Sequence, residues 1–428
     1  MTRMRPWRLL AAVVLATWSF HGVRADGNRL VGWATLPVDT YADGPSAGHF
    51  ARGQFGHPLP IENGQPVQGF SGVIPGPAAG TYYVTVDNGF GAKANSADSL
   101  LRVYAIRPDF RTAAGGSATV SAVDFRTGTP LPAFTPAGYI TLHDPDRRLG
   151  FPIVADGRLY PGAPGGIPVA EEIRRDRLLT GADLDPESVR RDRRGHFWFG
   201  DEFGPFLVET DALGRVLRAP IPLPGVFAPE NPLKGDTPAN LGSSRGFEGL
   251  AINRARTRLF GLIEGTVAGD TPRTLRLHEF DIARARFTGV SYGYRLDPSG
   301  SNIGDMTAVT GTQFLVVERN DASGVGASPP PFKKIFLVDV AQLGADRVAR
   351  KTEVVDLMNL ADPDDLNRDG ETTFRFPFIT IEDVLVVDRQ TLLVINDNNY
   401  PAGGGRGAFS DPTEVLLIRL GTPLPTDP

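Results

Sequence analysis

Short apolar runs bounded by Gly, Pro, Asp or Asn dominate the hydrophobic pattern of this chain. Such runs are typical of strands joined by turns. They predict strands at residues 82–86, 100–106, 197–200, 258–263, 275–280, 313–318, 334–338, 391–395 and 414–420. Helical periodicity is scarce and predicts only short helices, at residues 169–179 and 339–348. The pattern therefore indicates an all-β fold.

One small pattern occurs five times along the chain. An acidic residue, once replaced by Ser, precedes a short apolar strand, and a second acidic residue follows. The copies are Ser71 with Asp87, Glu187 with Asp201, Glu248 with Glu264, Asp305 with Glu318, and Glu382 with Asp397. A loop and a third strand follow each copy, so a repeat comprises most of a four-stranded propeller blade.

These repeats predict a β-propeller. We favour six blades, with five and seven as alternatives, because the long interval between the first two copies has room for a degenerate blade or an insertion. The apolar N-terminal strand at residues 30–37 is expected to pair with the C-terminal strand at 414–420. Such pairing would close the ring and protect the sheet edges.

Composition narrows the class of protein. The 428 residues are 41% hydrophobic, which suits one large repeat domain. The chain has no Cys, which excludes disulfides, zinc–thiolate sites and thiol nucleophiles. Its formal charge of −5 argues against binding to nucleic acid.

The N-terminus carries the pattern of a secretory signal peptide. Arg3, Arg5 and Arg8 precede a short apolar run at residues 9–20, and Ala25 ends a plausible cleavage site. An uncleaved anchor is the alternative, although the run is short for a membrane span. We predict a signal peptide at 1–25 and a single domain at 26–428, monomeric, without a membrane span after cleavage, and periplasmic or secreted.

The repeated acids predict a metal centre. Equivalent positions of propeller blades form a ring around the channel, and clustered carboxylates repel one another unless a cation binds. Ca²⁺ suits such a site because it accepts six to eight oxygen ligands in loose geometry. The alternative is that these acids are turn residues or bind backbone amides. The candidate ligands are Glu187, Asp201, Glu202, Glu248, Glu264, Asp305, Glu318, Glu382 and Asp397.

Three basic residues lie in the same loops. Lys93, Arg245 and Arg319 are candidates to hold an anionic group, since guanidinium groups match phosphate oxygens. The alternative is that they only balance the charge of the acids.

Several motifs together resemble the bacterial phytase-like domain family. They are FSGV at 70–73, DNGFGAKANSAD at 87–98, DPESV at 185–189, GDEFGP at 200–205, RGFEGL at 245–250 and NDNNYP at 396–401. The resemblance covers nearly the whole mature chain and implies esterase-like activity of the phytase type. The family is related to calcium-dependent propeller phytases, and the resemblance to them is clearest at DLDPE (183–187) and FEGL (247–250). The consecutive Asp-Asp-Pro of those enzymes is Leu184-Asp185-Pro186 here, so part of their metal-ligand set is expected to be absent.

Three functions follow from these observations. The first is an exported Ca²⁺-dependent hydrolase of a small anionic phosphoester, with Glu187, Glu248, Asp305 and Glu382 as catalytic candidates around a metal-activated water. The second is a one-calcium lactonase or carboxylesterase. The third is a propeller without catalytic activity that serves as a binding platform.

Overall fold

A computed structural model describes residues 27–53, 56–162, 166–407 and 411–427. The predicted signal peptide lies outside this part of the chain. Among the described residues are 25 strands. They are β1 (Arg29–Leu36), β2 (Tyr41–Asp43), β3 (Gly64–Pro66), β4 (Phe70–Pro75), β5 (Tyr82–Val86), β6 (Arg102–Asp109), β7 (Thr119–Ala122), β8 (Tyr139–Thr141), β9 (Pro186–Arg191), β10 (Phe197–Asp201), β11 (Phe206–Thr210), β12 (Ile221–Pro222), β13 (Phe247–Ile252), β14 (Arg258–Ile263), β15 (Thr274–Asp281), β16 (Arg286–Arg295), β17 (Asn302–Ala308), β18 (Gln313–Arg319), β19 (Lys333–Leu343), β20 (Ala349–Asp356), β21 (Leu360–Ala361), β22 (Thr373–Phe374), β23 (Asp383–Asp388), β24 (Thr391–Ile395) and β25 (Thr413–Arg419).

Helical structure is sparse. The one α-helix among the described residues is α1 (Glu171–Asp176), inside the predicted segment 169–179. Three 3₁₀ turns lie at Lys93–Asn95, Pro136–Gly138 and Val154–Asp156. The helix predicted at 339–348 is wrong, because β19 runs on to Leu343 and pairs with β20. No helix in the described part of the chain is long and apolar enough to span a membrane.

The strands form five antiparallel blades around one channel. Blade 1 is β4-β5-β6-β7, blade 2 is β9-β10-β11-β12, blade 3 is β13-β14-β15-β16, blade 4 is β17-β18-β19-β20, and blade 5 is β23-β24-β25-β1. The inner strands β4, β9, β13, β17 and β23 touch in that order, and β23 touches β4 again. The predicted all-β propeller is confirmed, and the five blades counted in the described residues are one of the alternatives to the favoured six.

The ring is closed by the N-terminal strand. As expected, β1 pairs antiparallel with β25 and becomes the outermost strand of blade 5. After β7, the outer strand of blade 1, the long interval between the first two copies holds an insertion that contains β8 and α1 rather than a sixth blade. The side chains of β1 alternate between buried and partly exposed, as expected of a half-covered strand.

Apolar side chains fill the space between neighbouring blades. Tyr83 of blade 1 packs against Phe197 of blade 2, and Phe260 of blade 3 packs against Phe314 of blade 4, with ring centroids 5.9 and 4.8 Å apart. Equivalent clusters join blades 2 and 3, blades 4 and 5, and blades 5 and 1. Second strands such as β5 and β10 are buried along their whole length, and their packing holds the inner strands in register.

A buried ion pair crosses the channel. Arg190 of β9 binds both oxygens of Asp305 of β17 at 2.8 Å and also donates to the Met306 carbonyl at 2.6 Å. Both side chains are almost fully buried. Blades 2 and 4 are not neighbours in the ring, so this pair ties opposite walls together. Burial raises the pKa of Asp305 to about 6, and Arg190 opposes that shift.

We expect Arg190→Met to destabilise the protein by about 3–5 kcal/mol at pH 8, because it leaves the Asp305 carboxylate buried without a partner. The double variant Arg190→Met/Asp305→Asn should recover much of this loss, since the uncompensated charge is gone. Urea unfolding of the four proteins of the cycle measures the coupling.

Arg191→Met is the matched control. Arg191 is the next residue and donates to the Gly195 carbonyl near the surface, so its loss should cost less than about 1 kcal/mol. Equal destabilisation by both substitutions would show that the pair across the channel has no special importance.

Candidate metal centre

β-Bulges direct acidic side chains toward the mouth of the channel. In blade 3, Phe247 pairs with Ile263 and Gly249 with Leu262, so Glu248 is an extra residue on the inner strand. Ser71 of blade 1 and Glu187 of blade 2 occupy the same position in their own bulges. A bulge re-aims one side chain at a strand end. In these three blades, the first residue of the repeated sequence pattern is therefore a bulge residue whose side chain carries an oxygen.

Blade 4 departs from this pattern. Its inner strand has its register shift between Ile303 and Met306, which puts Gly304 at the position of Glu248. A Cβ atom at Gly304 would lie 2.1 Å from the Ile381 carbonyl oxygen of blade 5, so this approach admits only glycine. In blade 4 Ile303 pairs with Glu318, and Arg319 follows; in blade 3 Phe247 pairs with Ile263, and Glu264 follows. Arg319 therefore occupies the position of Glu264. Blade 4 thus contributes a cation in place of two acids.

Seven carboxylates and one guanidinium share the channel mouth, and we call them the carboxylate ring. Six of the acids are less than 9% exposed, and Asp87 is partly exposed. Arg319 binds Glu382 at 2.9 Å and lies 3.5 Å from Glu264 and 3.6 Å from Glu248. The members are Asp87, Glu187, Glu202, Glu248, Glu264, Glu382, Asp397 and Arg319.

Two groups of acids in this region are close enough to share a cation. Asp185, Glu187 and Glu202 form one group, and Glu202, Glu248 and Glu264 form the other. Within each group the ligand oxygens lie within 4.8 Å of one another. Because Glu202 belongs to both, the arrangement offers two adjacent cation positions with a shared carboxylate.

Unsatisfied oxygens mark the same place. Oε1 of Glu202 and Oε1 of Glu248 are buried and accept no hydrogen bond. Buried carboxylate oxygens normally accept hydrogen bonds, and among the described residues the only cation within 4 Å of these two is Arg319, at 3.6 Å from Oε1 of Glu248, so both have room for a further cationic partner. The donor set consists of carboxylates from separate loops, which suits Ca²⁺ with its flexible all-oxygen coordination. The residues present therefore fit such an ion.

Electrostatics supports the same interpretation. Burial, and then the charges of Glu264, Glu382 and Glu202, raise the pKa of Glu248 well above its usual value. Burial and neighbouring acids likewise raise the pKa of Glu187 and of Glu202. The pKa of Glu382 rises to about 8, chiefly through burial, although Arg319 opposes the shift. Without a bound cation, Glu382 therefore holds its proton at neutral pH, and the pKa values of the neighbouring acids are shifted in the same direction.

The three basic candidates lie at different depths. Arg319 is enclosed by the glutamates that it binds. Arg245 donates to Glu264 at 2.6 Å and to Asn302 at 2.7 Å, and its side chain is 38% exposed. Lys93 is partly exposed, with Nζ 4.8 Å from the ring centroid of Phe203. Arg245 and Lys93 can reach a ligand at the mouth, whereas Arg319 is a fixed counter-charge.

Three predicted ligands lie outside the ring. Asp201 accepts the backbone amides of Asp185 at 2.8 Å and Gly204 at 2.9 Å, so it shapes the loop. Asp305 is bound to Arg190 deeper in the channel. Glu318 accepts from the Tyr294 hydroxyl of blade 3 and from Lys351 of β20.

The repeat register explains these placements. In blades 2 and 4 the residue that reaches the ring is one place later than the sequence pattern suggested, namely Glu202 and Arg319 rather than Asp201 and Glu318. A bulge adds one residue without any signal in the apolar pattern. Asp87 and Asp185 were not among the predicted ligands. Asp87 is the second acid of the first repeat, and Asp185 is in the DLDPE motif, so the sequence held a signal for both.

Another acidic group, on blade 2, is structural. Asp192, His196 and Glu209 lie close together, but Arg194 binds both acids and Arg218 binds Glu209. Nδ1 of His196 lies 2.8 Å from Glu209. These partners balance the charge, in contrast to the ring.

Comparison with known proteins finds a sequence relative and several solved structures that are similar to this chain. A curated relative from Arthroderma benhamiae, described as an uncharacterized secreted protein, is 24% identical over 385 residues, 77% of this chain and 69% of that protein. Among solved structures, the periplasmic gluconolactonase of Pseudomonas aeruginosa is 14% identical, with a TM-score of 0.35 over 90% of this chain and 99% of that one. The arabinanase Arb43A of Bacillus subtilis is 10% identical, with a TM-score of 0.35 over 82% of this chain and 94% of that one.

The family model described as "Esterase-like activity of phytase" matches residues 65–400, a span that contains all five inner strands and the whole carboxylate ring. The resemblance expected from the motifs is thereby confirmed, and the chain belongs to the phytase-like family.

Proposed function

We propose that this protein is an exported, Ca²⁺-dependent hydrolase of phosphoesters. Family membership supports an ester-hydrolysing protein. The observation that carries the metal dependence is the pair of acidic groups that share Glu202, in which Oε1 of Glu202 and Oε1 of Glu248 accept no hydrogen bond.

The side chains divide into roles around this centre. Asp185, Glu187, Glu202, Glu248 and Glu264 are the proposed ligands. A bound cation at such a site lowers the pKa of water and polarises an ester oxygen. Arg245 uses two of its contacts on Glu264 and Asn302 and keeps further N–H donors for phosphate oxygens. Glu382, with its pKa raised to about 8, can hold and release a proton near neutral pH.

Asp305 has no part in this proposal, because Arg190 occupies both of its oxygens. Arg319 acts as a counter-charge that fixes Glu382, whose other oxygen accepts from the Ser71 hydroxyl at 2.9 Å. These contacts hold the acids in place whether or not substrate is bound.

Hydrolysis of carboxylic esters or lactones is the second candidate function. The description of the family as esterase-like favours it. The same cation would then polarise a carbonyl oxygen. Turnover of aryl acetates or lactones without any phosphatase activity would select this alternative.

Export rests on two observations. The N-terminal sequence has the basic and apolar regions of a signal peptide. The fungal relative is described as secreted. We propose a periplasmic or extracellular location, where millimolar Ca²⁺ can fill a weak site.

We predict that the purified protein hydrolyses p-nitrophenyl phosphate in the presence of Ca²⁺ and loses this activity in chelator. Phytate and aryl acetates belong in the same assay. Absence of turnover on every phosphoester, with Ca²⁺ present, would contradict the proposed function.

Glu248→Gln tests the metal ligands. It should raise the Ca²⁺ concentration required for half-maximal activity at least about tenfold, because it removes a charged ligand from the second acidic group. Glu353→Gln is the matched control, since Glu353 is an exposed acid on β20 bound to Lys334. Equal Ca²⁺ dependence in the two variants would exclude Glu248 as a ligand.

Stability should depend on pH and Ca²⁺ together. The pKa of Glu382 rises to about 8 and that of Asp397 to about 6 on folding, so without Ca²⁺ stability falls as pH rises from about 4 to 8. Bound Ca²⁺ adds positive charge beside these acids and favours their ionised forms, so its stabilising effect should be larger at pH 8 than at pH 5. At a concentration 100 times its Kd it should add about 2.7 kcal/mol.

Thermal unfolding at both pH values, with Ca²⁺ or with chelator, measures this effect. An increase in Tm on adding Ca²⁺ that is the same at pH 5 and pH 8 would contradict competition between Ca²⁺ and protons at the ring.

A further inference from the structure

A cavity of about 800 Å³ opens beside the carboxylate ring, and we call it the rim pocket. The apolar residues that line it include Phe151, Pro152, Ile153, Leu159 and Ala182. The first four belong to the insertion between β8 and α1. Ligand sites are commonly apolar cavities of this size with a few polar groups at one end.

The rim pocket ends next to the proposed metal ligands. Asp183 lines it and is two residues from Asp185. Lys93 also lines it and lies over the ring of Phe203, which directly follows Glu202. A ligand in the pocket therefore has its polar end near the first acidic group.

The pocket wall is held in place by hydrogen bonds. Asp183 accepts the Val154 amide at 2.8 Å through one oxygen and the Thr180 amide at 2.8 Å through the other. Asp156 is bound by Arg147 at 2.6 Å and by Arg177. The insertion is thus anchored to the entrance of blade 2, and the cavity exists before a ligand binds.

Two cations, Arg52 and Lys93, line the pocket. Within the described ranges neither has a carboxylate within 4 Å, although the charge of Lys93 opposes the rise that burial causes in the pKa of Asp183 and of Asp201. Asp156 is engaged by arginines, and Asp183 by backbone amides. The pocket therefore offers its ligand apolar side chains together with two cations whose charge is not taken up by a close ion pair.

We infer that the rim pocket binds the apolar group of the substrate, so that the substrate is a phosphomonoester of an aryl or alkyl alcohol rather than a highly phosphorylated polyol. Its phosphate would lie at Lys93, beside the acidic group that contains Glu202. A polyol carrying many phosphates would leave the apolar wall unused and would bring excess negative charge to a ring of acids. The identification as an ester rests on the proposed function, whereas binding to the pocket does not.

The experiment compares 1-naphthyl phosphate with glycerol 2-phosphate in saturating Ca²⁺. We expect a kcat/KM at least about tenfold higher for the naphthyl ester, because an apolar contact in a pocket contributes at least that discrimination. 1-Naphthyl phosphonate is not hydrolysed, so calorimetry with it measures binding of the naphthyl group to the pocket without turnover.

Leu159→Glu places a charge in the wall. Leu159 is 52% exposed, so the variant should fold, and it should lower the naphthyl preference about tenfold in both measurements. Phe151→Ala is a second variant with the same expected direction. Leu213→Glu is the matched control, because Leu213 is 53% exposed and lies near Arg191, at the other end of β9.

The outcomes separate the two proposals. Turnover of phosphoesters without a naphthyl preference, or equal effects of Leu159→Glu and Leu213→Glu, would overturn the rim pocket alone. Binding of the phosphonate that depends on Leu159, with no turnover of any phosphoester, would uphold the pocket and reject the proposed function. Neither binding nor turnover would reject both.

Discussion

The mutual repulsion of buried carboxylates is the constraint on which the rest of this structure depends. Seven acids share the mouth of one channel, and Arg319 and Arg245 are the cations that bind them directly. Each acid must either hold a proton or share a cation, and the raised pKa values of Glu187, Glu202 and Glu248 express that choice. Packing between blades supplies the stability that tolerates this arrangement, and it leaves the channel mouth as a site prepared for positive charge.

The propeller fold makes the ring lopsided. The bulges at Ser71, Glu187 and Glu248 aim side chains inward, but the close approach of blades 4 and 5 allows only Gly304 at the equivalent position. Arg319 fills the gap in charge and fixes Glu382. The two groups of acids close enough to share a cation therefore lie on blades 2 and 3, next to the rim pocket. The proposed Ca²⁺ positions, Lys93 and the rim pocket thus lie on one side of the channel.

The fold was largely predictable, because five copies of an acid–strand–acid pattern correspond to the five blades. The favoured blade count was too high because an interval between repeats does not reveal whether it holds an insertion or a blade. Asp305 and Glu318 were assigned to the ring from their spacing, yet the bulge in blade 4 puts Gly304 and Arg319 there instead. A one-residue register shift in a strand turns a side chain to the opposite face, and the pattern of apolar residues does not reveal such a shift. The pair Arg190–Asp305 joins blades distant in sequence, so it required the structure.

Diffraction from crystals grown with Ca²⁺, at a wavelength where calcium scatters anomalously, tests the central claim most directly. Occupied positions should appear between Asp185, Glu187 and Glu202 and between Glu202, Glu248 and Glu264, with oxygens at about 2.3–2.6 Å. A channel mouth without anomalous density, in which the carboxyl groups bind one another through shared protons, would contradict a metal centre.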